Sequence, residues 1–151
     1  DGLNVGSVTA DIPTTGYEAS MTGKLPEGCS YIGSSLVLEE QLVLRHYFVG
    51  DISSEVISCV ATTNNKAVEI TTGNTADDRI TYVDIAAPYS QIADMYKVII
   101  GEGETAYTLT YGVLTYCNKA YELGQNSELV NTCNAMYNYS VAVNAYFSVG
   151  Q

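Results

Sequence analysis

The chain of 151 residues, 46% of them hydrophobic, is long enough to form one domain with a sizeable core. Its 17 Asp and Glu residues outnumber the 6 Lys and Arg residues, and the formal charge of −11 repels nucleic-acid phosphates and anionic membranes. Because of this charge we expect no nucleic-acid partner. No apolar run is long enough to span a bilayer, so we also expect no membrane insertion.

Residues 1–33 are rich in Gly, Thr, Ser and Pro, which predicts a loop-rich start with short β pieces such as Val5–Ala10. No signal peptide opens the chain, and a start at Asp1 without Met is typical of a fragment. We therefore expect a monomeric module that belongs to a longer chain.

Residues 34–109 form the predicted β region. Its strongest strand signal runs from Gly33 to Val49, where apolar residues occur at both parities. This pattern indicates either one strand covered on both faces or two strands broken around Glu39-Glu40. Asn64-Asn65 predicts a hairpin turn. The other predicted strands are Glu55–Thr62, Ala67–Thr71, Arg79–Ala86, Tyr96–Ile100 and Tyr107–Leu109.

Residues 110–147 are predicted to form a helical hairpin, with helices at Tyr111–Leu123 and Ser127–Phe147 joined by the turn Gly124-Gln125-Asn126. The second helix carries two apolar stripes, which indicates that it is covered on two sides. Its second stripe consists of Ala135, Tyr139, Ala142 and Tyr146. Strands first and helices last predict an α+β fold: an antiparallel β-sheet or small sandwich packed against a C-terminal antiparallel helical hairpin.

Four cysteines are typical of a protein from an oxidising, extracellular compartment. Cys117 and Cys133 lie almost symmetrically about the predicted turn and on the facing stripes of the two helices, so we expect a disulfide between them. The alternative is two buried free thiols. A second disulfide, between Cys29 and Cys59, is predicted without a geometric argument of its own.

Several stretches resemble a recurring module of large secreted surface proteins from gut Clostridia. They are Leu44–Phe48, Ile85–Ala87, Ile92–Asp94, Ala135–Tyr139 and Ala145–Phe147. Here His46 replaces the more usual Tyr, and Cys117 and Cys133 stand where small apolar residues are usual. The resemblance covers residues 33–147 and implies a cell-surface or secreted setting without catalytic residues. Some proteins of this kind look like superantigens that bind immunoglobulin variable domains.

Catalytic and metal-binding patterns are weak, so we expect neither an enzyme nor a cofactor. His46 is the one histidine, and its place inside a strand favours a structural role. Adjacent Glu39-Glu40 would point to opposite faces of a strand, which is unsuited to glycoside hydrolysis. No two cysteines are close enough in sequence for a zinc motif, and Asp77-Asp78 lies outside any calcium-loop pattern, so it is predicted to form a solvated turn.

The chain is unusually rich in tyrosine, with 13 Tyr residues against 2 Phe and no Trp. Tyrosine combines a rigid apolar face with a hydrogen-bonding tip, which suits protein recognition, although many of these rings would also fill a core. The predicted binding residues are Arg45, Tyr47, Tyr111 and Tyr116. Arg45 and Tyr47 should share one face of their strand, opposite to that of His46, and Tyr111 and Tyr116 should lie on the flanks of the first helix. We expect a non-enzymatic binding module whose partner is a host protein, with immunoglobulin as the preferred class. The alternatives are a carbohydrate-binding module and a structural spacer.

Overall fold

The computed structural model describes residues 16–38, 40–88, 91–122, 131–139 and 141–142. Within these residues, eight strands form two antiparallel four-stranded sheets. Sheet I has the order β1-β8-β7-β4 and sheet II the order β2-β3-β6-β5. The strands are β1 (Ser20–Thr22), β2 (Ser30–Leu38), β3 (Leu42–Val49), β4 (Ile57–Ala61), β5 (Ile70–Asn74), β6 (Ile80–Ala86), β7 (Met95–Ile100) and β8 (Tyr107–Gly112). Helix α1 (Val113–Glu122) follows β8 directly, and a second helix, α2, covers residues 131–139.

The fold is α+β, as predicted. Of the two predicted arrangements, a single antiparallel sheet or a small sandwich, the structure has the sandwich. In β3, β6, β7 and β8, every second side chain is buried, as expected for strands that present one face to a core. The buried residues of both sheets and of the helices belong to one hydrophobic cluster. Aromatic contacts link the sheets across this core: the ring centroids of Phe48 and Tyr107 lie 6.4 Å apart.

The strong signal between Gly33 and Val49 is a hairpin of two strands, β2 and β3. A bulge between Tyr31 and Gly33 leaves Ile32 as an extra residue in β2. After this bulge, Ser34 lies opposite His46, a residue of the inner face. The alternative of one strand covered on both faces is therefore wrong, and the two parities of the sequence belong to the inner and outer faces of one sheet.

The boundary between β8 and α1 corrects the predicted helix start at Tyr111. Tyr111 pairs with Tyr96 as a strand residue, and Gly112 pairs with Met95. Gly112 suits this junction because an added Cβ would lie 2.7 Å from the carbonyl oxygen of Asp94. The Gly112 N–H donates to the Thr115 hydroxyl over 3.0 Å, so Thr115 reaches back to the residue before the helix, as in a capping box.

The helices are joined by the predicted disulfide. Cys117 of α1 and Cys133 of α2 are bonded, with their Cα atoms 5.8 Å apart and both side chains buried. The prediction that α2 is covered on two sides is wrong within the described residues, because Ala135, Tyr139 and Ala142 are exposed. Its buried positions, Cys133 and Met136, belong to the other stripe.

The predicted Cys29–Cys59 disulfide is wrong, since both thiols are free. Cys59 lies in β4, is buried within the core, and has a pKa raised to about 12 by this burial. Cys29 precedes β2, and its thiol donates to the carbonyl oxygen of Asp51 over 3.9 Å. Cys59 thus lies within sheet I, whereas Cys29 lies next to the first residue of a sheet-II strand, a separation that an even cysteine count could not reveal.

Some predicted features lie outside the described residues. They are the strand Val5–Ala10, residue Glu39, the turn Gly124-Gln125-Asn126, and both ends of the predicted second helix. The chain turns at Asn64-Asn65, where the Asn65 N–H donates to the Ala61 carbonyl and Asn65 has a φ of 59°. The predicted hairpin is wrong beyond the bridge between Val60 and Ala67, because β4 and β5 belong to different sheets. Neither described helix has the length and apolar character needed to cross a bilayer.

Candidate binding surfaces

The outer face of sheet II gathers polar and aromatic side chains from three adjacent strands. Register places Arg45 of β3 opposite Asp84 of β6, and Tyr47 opposite Tyr82. All four side chains are half-buried, whereas the intervening residue His46 is fully buried in the core. The prediction that Arg45 and Tyr47 share a face opposite to that of His46 is therefore confirmed.

Arg45 is held by two partners on β6. Its Nε and Nη2 atoms donate to the two carboxylate oxygens of Asp84 over 2.7 and 2.9 Å, a bidentate arrangement. Its guanidinium carbon also lies 3.9 Å from the centroid of the Tyr82 ring, within the range of a cation–π interaction. The hydrogen bond to Asp84 raises the pKa of Arg45 most, and an interaction with the Tyr47 hydroxyl adds to it.

Backbone and hydroxyl contacts fix the two tyrosines. The hydroxyls of Tyr47 and Ser35 share a hydrogen bond of 3.0 Å. Tyr82 lies over Gly73 of β5, its register partner, where no side chain intervenes. We call the group Ser35, Arg45, Tyr47, Gly73, Tyr82 and Asp84 the sheet-II platform. Its charges are paired with each other, so its middle is aromatic and close to neutral.

Gly73 offers a direct test of the platform. A Cβ at this position would lie 2.6 Å from Cζ of Tyr82, so Gly73→Ala must displace the ring. We expect a stability change within about 1 kcal/mol, because the ring edge can swing aside into solvent. The affinity for any partner that binds to the platform should nevertheless fall, because the displaced Tyr82 ring no longer stacks on Arg45. Thr72→Ala changes the preceding residue of β5 and is the matched control. If Gly73→Ala binds a partner as tightly as Thr72→Ala does, the position of the Tyr82 ring has no role in binding.

The other two predicted binding residues lie elsewhere. Tyr111 is only 2% exposed and packs in the core, so the prediction that it flanks a helix surface is wrong. Its ring meets that of His46 edge-on at 5.2 Å. Tyr116, on α1, is half-buried and lines a cavity between α1 and β2 together with Tyr111. The four predicted residues thus divide between the outer face of sheet II and this cavity.

His46 has the surroundings of a structural residue. Its Nδ1 shares a hydrogen bond of 2.6 Å with the Ser34 hydroxyl, which in turn bonds the Tyr31 hydroxyl over 2.5 Å. Its Nε2 is buried and has no hydrogen-bond partner among the described residues. Burial lowers the pKa of His46 to about 3, so the imidazole is neutral near pH 7. A fully buried side chain of this kind is not accessible to a substrate.

Metal ligands are not clustered in the described part of the chain: no group of three or more His, Cys, Asp or Glu side chains could hold an ion. Asp77 instead bonds Arg79, its neighbour in an exposed turn, and this hydrogen bond is the main cause that lowers the pKa of Asp77 to about 2. Asp84 is engaged by Arg45. The predicted solvated turn at Asp77-Asp78 agrees with this arrangement.

Sequence reasoning missed four members of the platform: Ser35, Gly73, Tyr82 and Asp84. The signal that could have identified Tyr82 and Asp84 is the alternation along β6, where Ile80, Tyr82 and Asp84 occupy every second position between buried residues. This alternation could not identify the strands on either side of β6, because its pairing with β3 and β5 depends on non-local contacts.

Comparison with known proteins identifies no relative. No protein-family model matches the chain, and neither a curated protein nor a solved structure matches it. The resemblance noted in the sequence thus stays an expectation.

Proposed function

We propose that this chain is a non-enzymatic binding module of a bacterial surface or secreted protein, and that its ligand is a host immunoglobulin variable domain. The sheet-II platform is the observation that carries the proposal. Arginine and tyrosine are the residues most enriched at binding hot spots, and here they are adjacent on one sheet face. The Cys117–Cys133 disulfide supports an extracellular setting, because such bonds persist in oxidising compartments.

The platform suits a protein partner because its side chains are already fixed before binding. Arg45 is clamped by Asp84 and stacked on Tyr82, and Tyr47 is bonded to Ser35. Ordering a flexible side chain at an interface costs roughly 0.5–1.5 kcal/mol, so groups held in place lose less free energy on association. The internal Arg45–Asp84 pair also limits the number of unpaired charges that a partner must cover.

Chemistry that would favour an enzyme has no support in the described residues. The histidine is buried and neutral, and no group of three or more His, Cys, Asp or Glu side chains in the described part of the chain could hold a metal ion. An immunoglobulin framework, by contrast, is a protein surface of the kind that Tyr and Arg recognise. The family resemblance adds its own support, since it includes proteins that look like immunoglobulin-binding superantigens.

The test is binding to a panel of antibody fragments that covers the main heavy- and light-chain variable families. We expect the parent chain to bind some of them, and Tyr82→Ala and Tyr47→Ala each to weaken that binding by about 2 kcal/mol, or roughly 30-fold, as for hot-spot truncations. Tyr139→Ala is the matched control, because Tyr139 is 57% exposed on α2 and lies outside the platform.

Folding of each variant is checked by circular dichroism and by the midpoint of urea unfolding. If the parent binds no antibody fragment, or if the folded Tyr82→Ala and Tyr47→Ala variants bind as tightly as the parent, the proposal is wrong. If the chain binds neither antibody fragments nor glycans, the result would instead favour the structural-spacer function.

A further inference from the structure

A cavity of about 440 Å³ lies between α1 and the bulged part of β2. The bulge leaves Ile32 51% exposed at its rim and brings Tyr31 and Ser34 to its wall. On the opposite side, α1 contributes Tyr116 and Lys119. This volume lies within the range of small-molecule sites, about 300–1,000 Å³.

The charge of the lining is unusual for this chain. The chain has 17 acidic and 6 basic residues, yet the described residues that line the cavity include one lysine, Lys119, and no Asp or Glu. A second cavity on the other side of α1, of about 370 Å³, shares Lys119 but is also lined by Glu18 and Glu122. The cavity beside β2 is thus the one of this pair that suits an anion.

The polar groups of the lining are fixed in place. Tyr31 and Ser34 share a hydrogen bond of 2.5 Å, and Ser34 is tied to buried His46. Tyr111 is held in the core, and Lys119 Nζ lies 5.9 Å from the centroid of its ring. Burial raises the pKa of both Tyr31 and Tyr111, so both hydroxyls are protonated near pH 7. Neither described ion pair involves Lys119.

We propose that this cavity binds one acidic monosaccharide unit, a pyranose ring that carries a carboxylate. Aromatic rings accept the apolar C–H face of a pyranose, hydroxyls from Tyr and Ser match its hydroxyl groups, and the Lys119 ammonium pairs with the carboxylate. Because the described lining contains no Asp or Glu, such a ligand avoids the repulsion that it would meet elsewhere on this acidic surface.

The site is separate from the immunoglobulin proposal, because it lies between α1 and β2 and shares no residue with the sheet-II platform. Its ligand is a small molecule that occupies a cavity, whereas the platform would contact a protein surface. The two proposals therefore fail independently: Lys119→Gln should leave antibody-fragment binding unchanged, and Tyr82→Ala should leave sugar binding unchanged.

The experiment is a ¹⁵N–¹H NMR titration of the whole chain with methyl glycosides of N-acetylneuraminic acid and of glucuronic acid, beside the neutral galactoside and glucoside. We expect saturable shifts at the amides of Tyr31–Ser34 and Tyr116–Ala120 with at least one acidic sugar and none with the neutral sugars. The comparison of the two acidic sugars separates a sialic-acid site from a uronic-acid site.

Lys119→Gln tests the role of the charge, since it removes the ammonium and keeps a polar side chain one atom shorter at an exposed position. We expect it to weaken binding of the acidic sugar by about tenfold, as for loss of a hydrogen bond to a charged group. Lys66→Gln, in the exposed turn before β5, is the matched control and should bind like the parent. The proposal is overturned if neither acidic sugar binds, if neutral sugars bind equally well, or if Lys119→Gln binds like the parent.

Discussion

Loss of the Cys117–Cys133 disulfide is expected to lower the free energy of unfolding by about 3 kcal/mol, the value of the chain-entropy model for a loop of this length. The two cysteines are 16 residues apart in sequence, so the bond restricts a short loop in the unfolded chain. Domains of this size are stable by about 5–15 kcal/mol, and the loss would be a large fraction of that total.

The measurement compares urea unfolding of the parent with that of the double variant Cys117→Ala/Cys133→Ala, each with and without reductant. Reductant should shift the parent towards the double variant and leave the double variant unchanged. Cys29→Ala serves as the control, since Cys29 is a free thiol and its variant should respond to reductant as the parent does. Equal unfolding midpoints for the oxidised parent and the double variant would contradict the prediction.

Stability is also expected to fall by about 2 kcal/mol between pH 7 and pH 5, because of His46. The pKa of His46 is about 3 in the folded chain, against an ordinary value of 6.5. The unfolded chain therefore binds a proton over this range and the folded chain does not. The contribution of the neutral imidazole is complete above pH 6.5 and is lost as the pH falls towards 3.

This pH window separates the histidine from the carboxylates. Hydrogen bonds from Ser53 and from Arg79 lower the pKa values of Asp51 and Asp77 respectively, so these groups reduce stability only below about pH 4. The groups against the imidazole, Ser34, Tyr31 and Tyr111, remain uncharged between pH 7 and pH 5.

The variant His46→Phe should abolish most of the slope of unfolding free energy against pH between 7 and 5. The slope is the readout, since the substitution also removes the hydrogen bond to Ser34 and can change stability at every pH. Urea unfolding at intervals of half a pH unit gives the two profiles. If the parent and His46→Phe have parallel profiles, burial of a neutral imidazole does not govern acid sensitivity in this window.

The amino-acid sequence by itself determined those features that depend on local periodicity. Alternation in β3 places Leu42, Leu44 and His46 inside and Arg45 and Tyr47 outside, and this follows from the two-residue repeat of a strand. The Cys117–Cys133 bond was predictable for a similar reason, because the positions of two residues about a short turn fix their height on adjacent helices. The strands-then-helices order likewise predicted the α+β class.

The tertiary structure alone decided which distant residues meet. The first helix is predicted to begin at Tyr111, yet pairing with β7 extends β8 through this residue and packs its ring on His46. The stacking of Arg45 on Tyr82, and of Tyr82 over Gly73, depends on the order of β3, β6 and β5 in the sheet. Strand order arises from non-local backbone pairing and shared core packing, whose free energies are not encoded in the periodicity of any single segment.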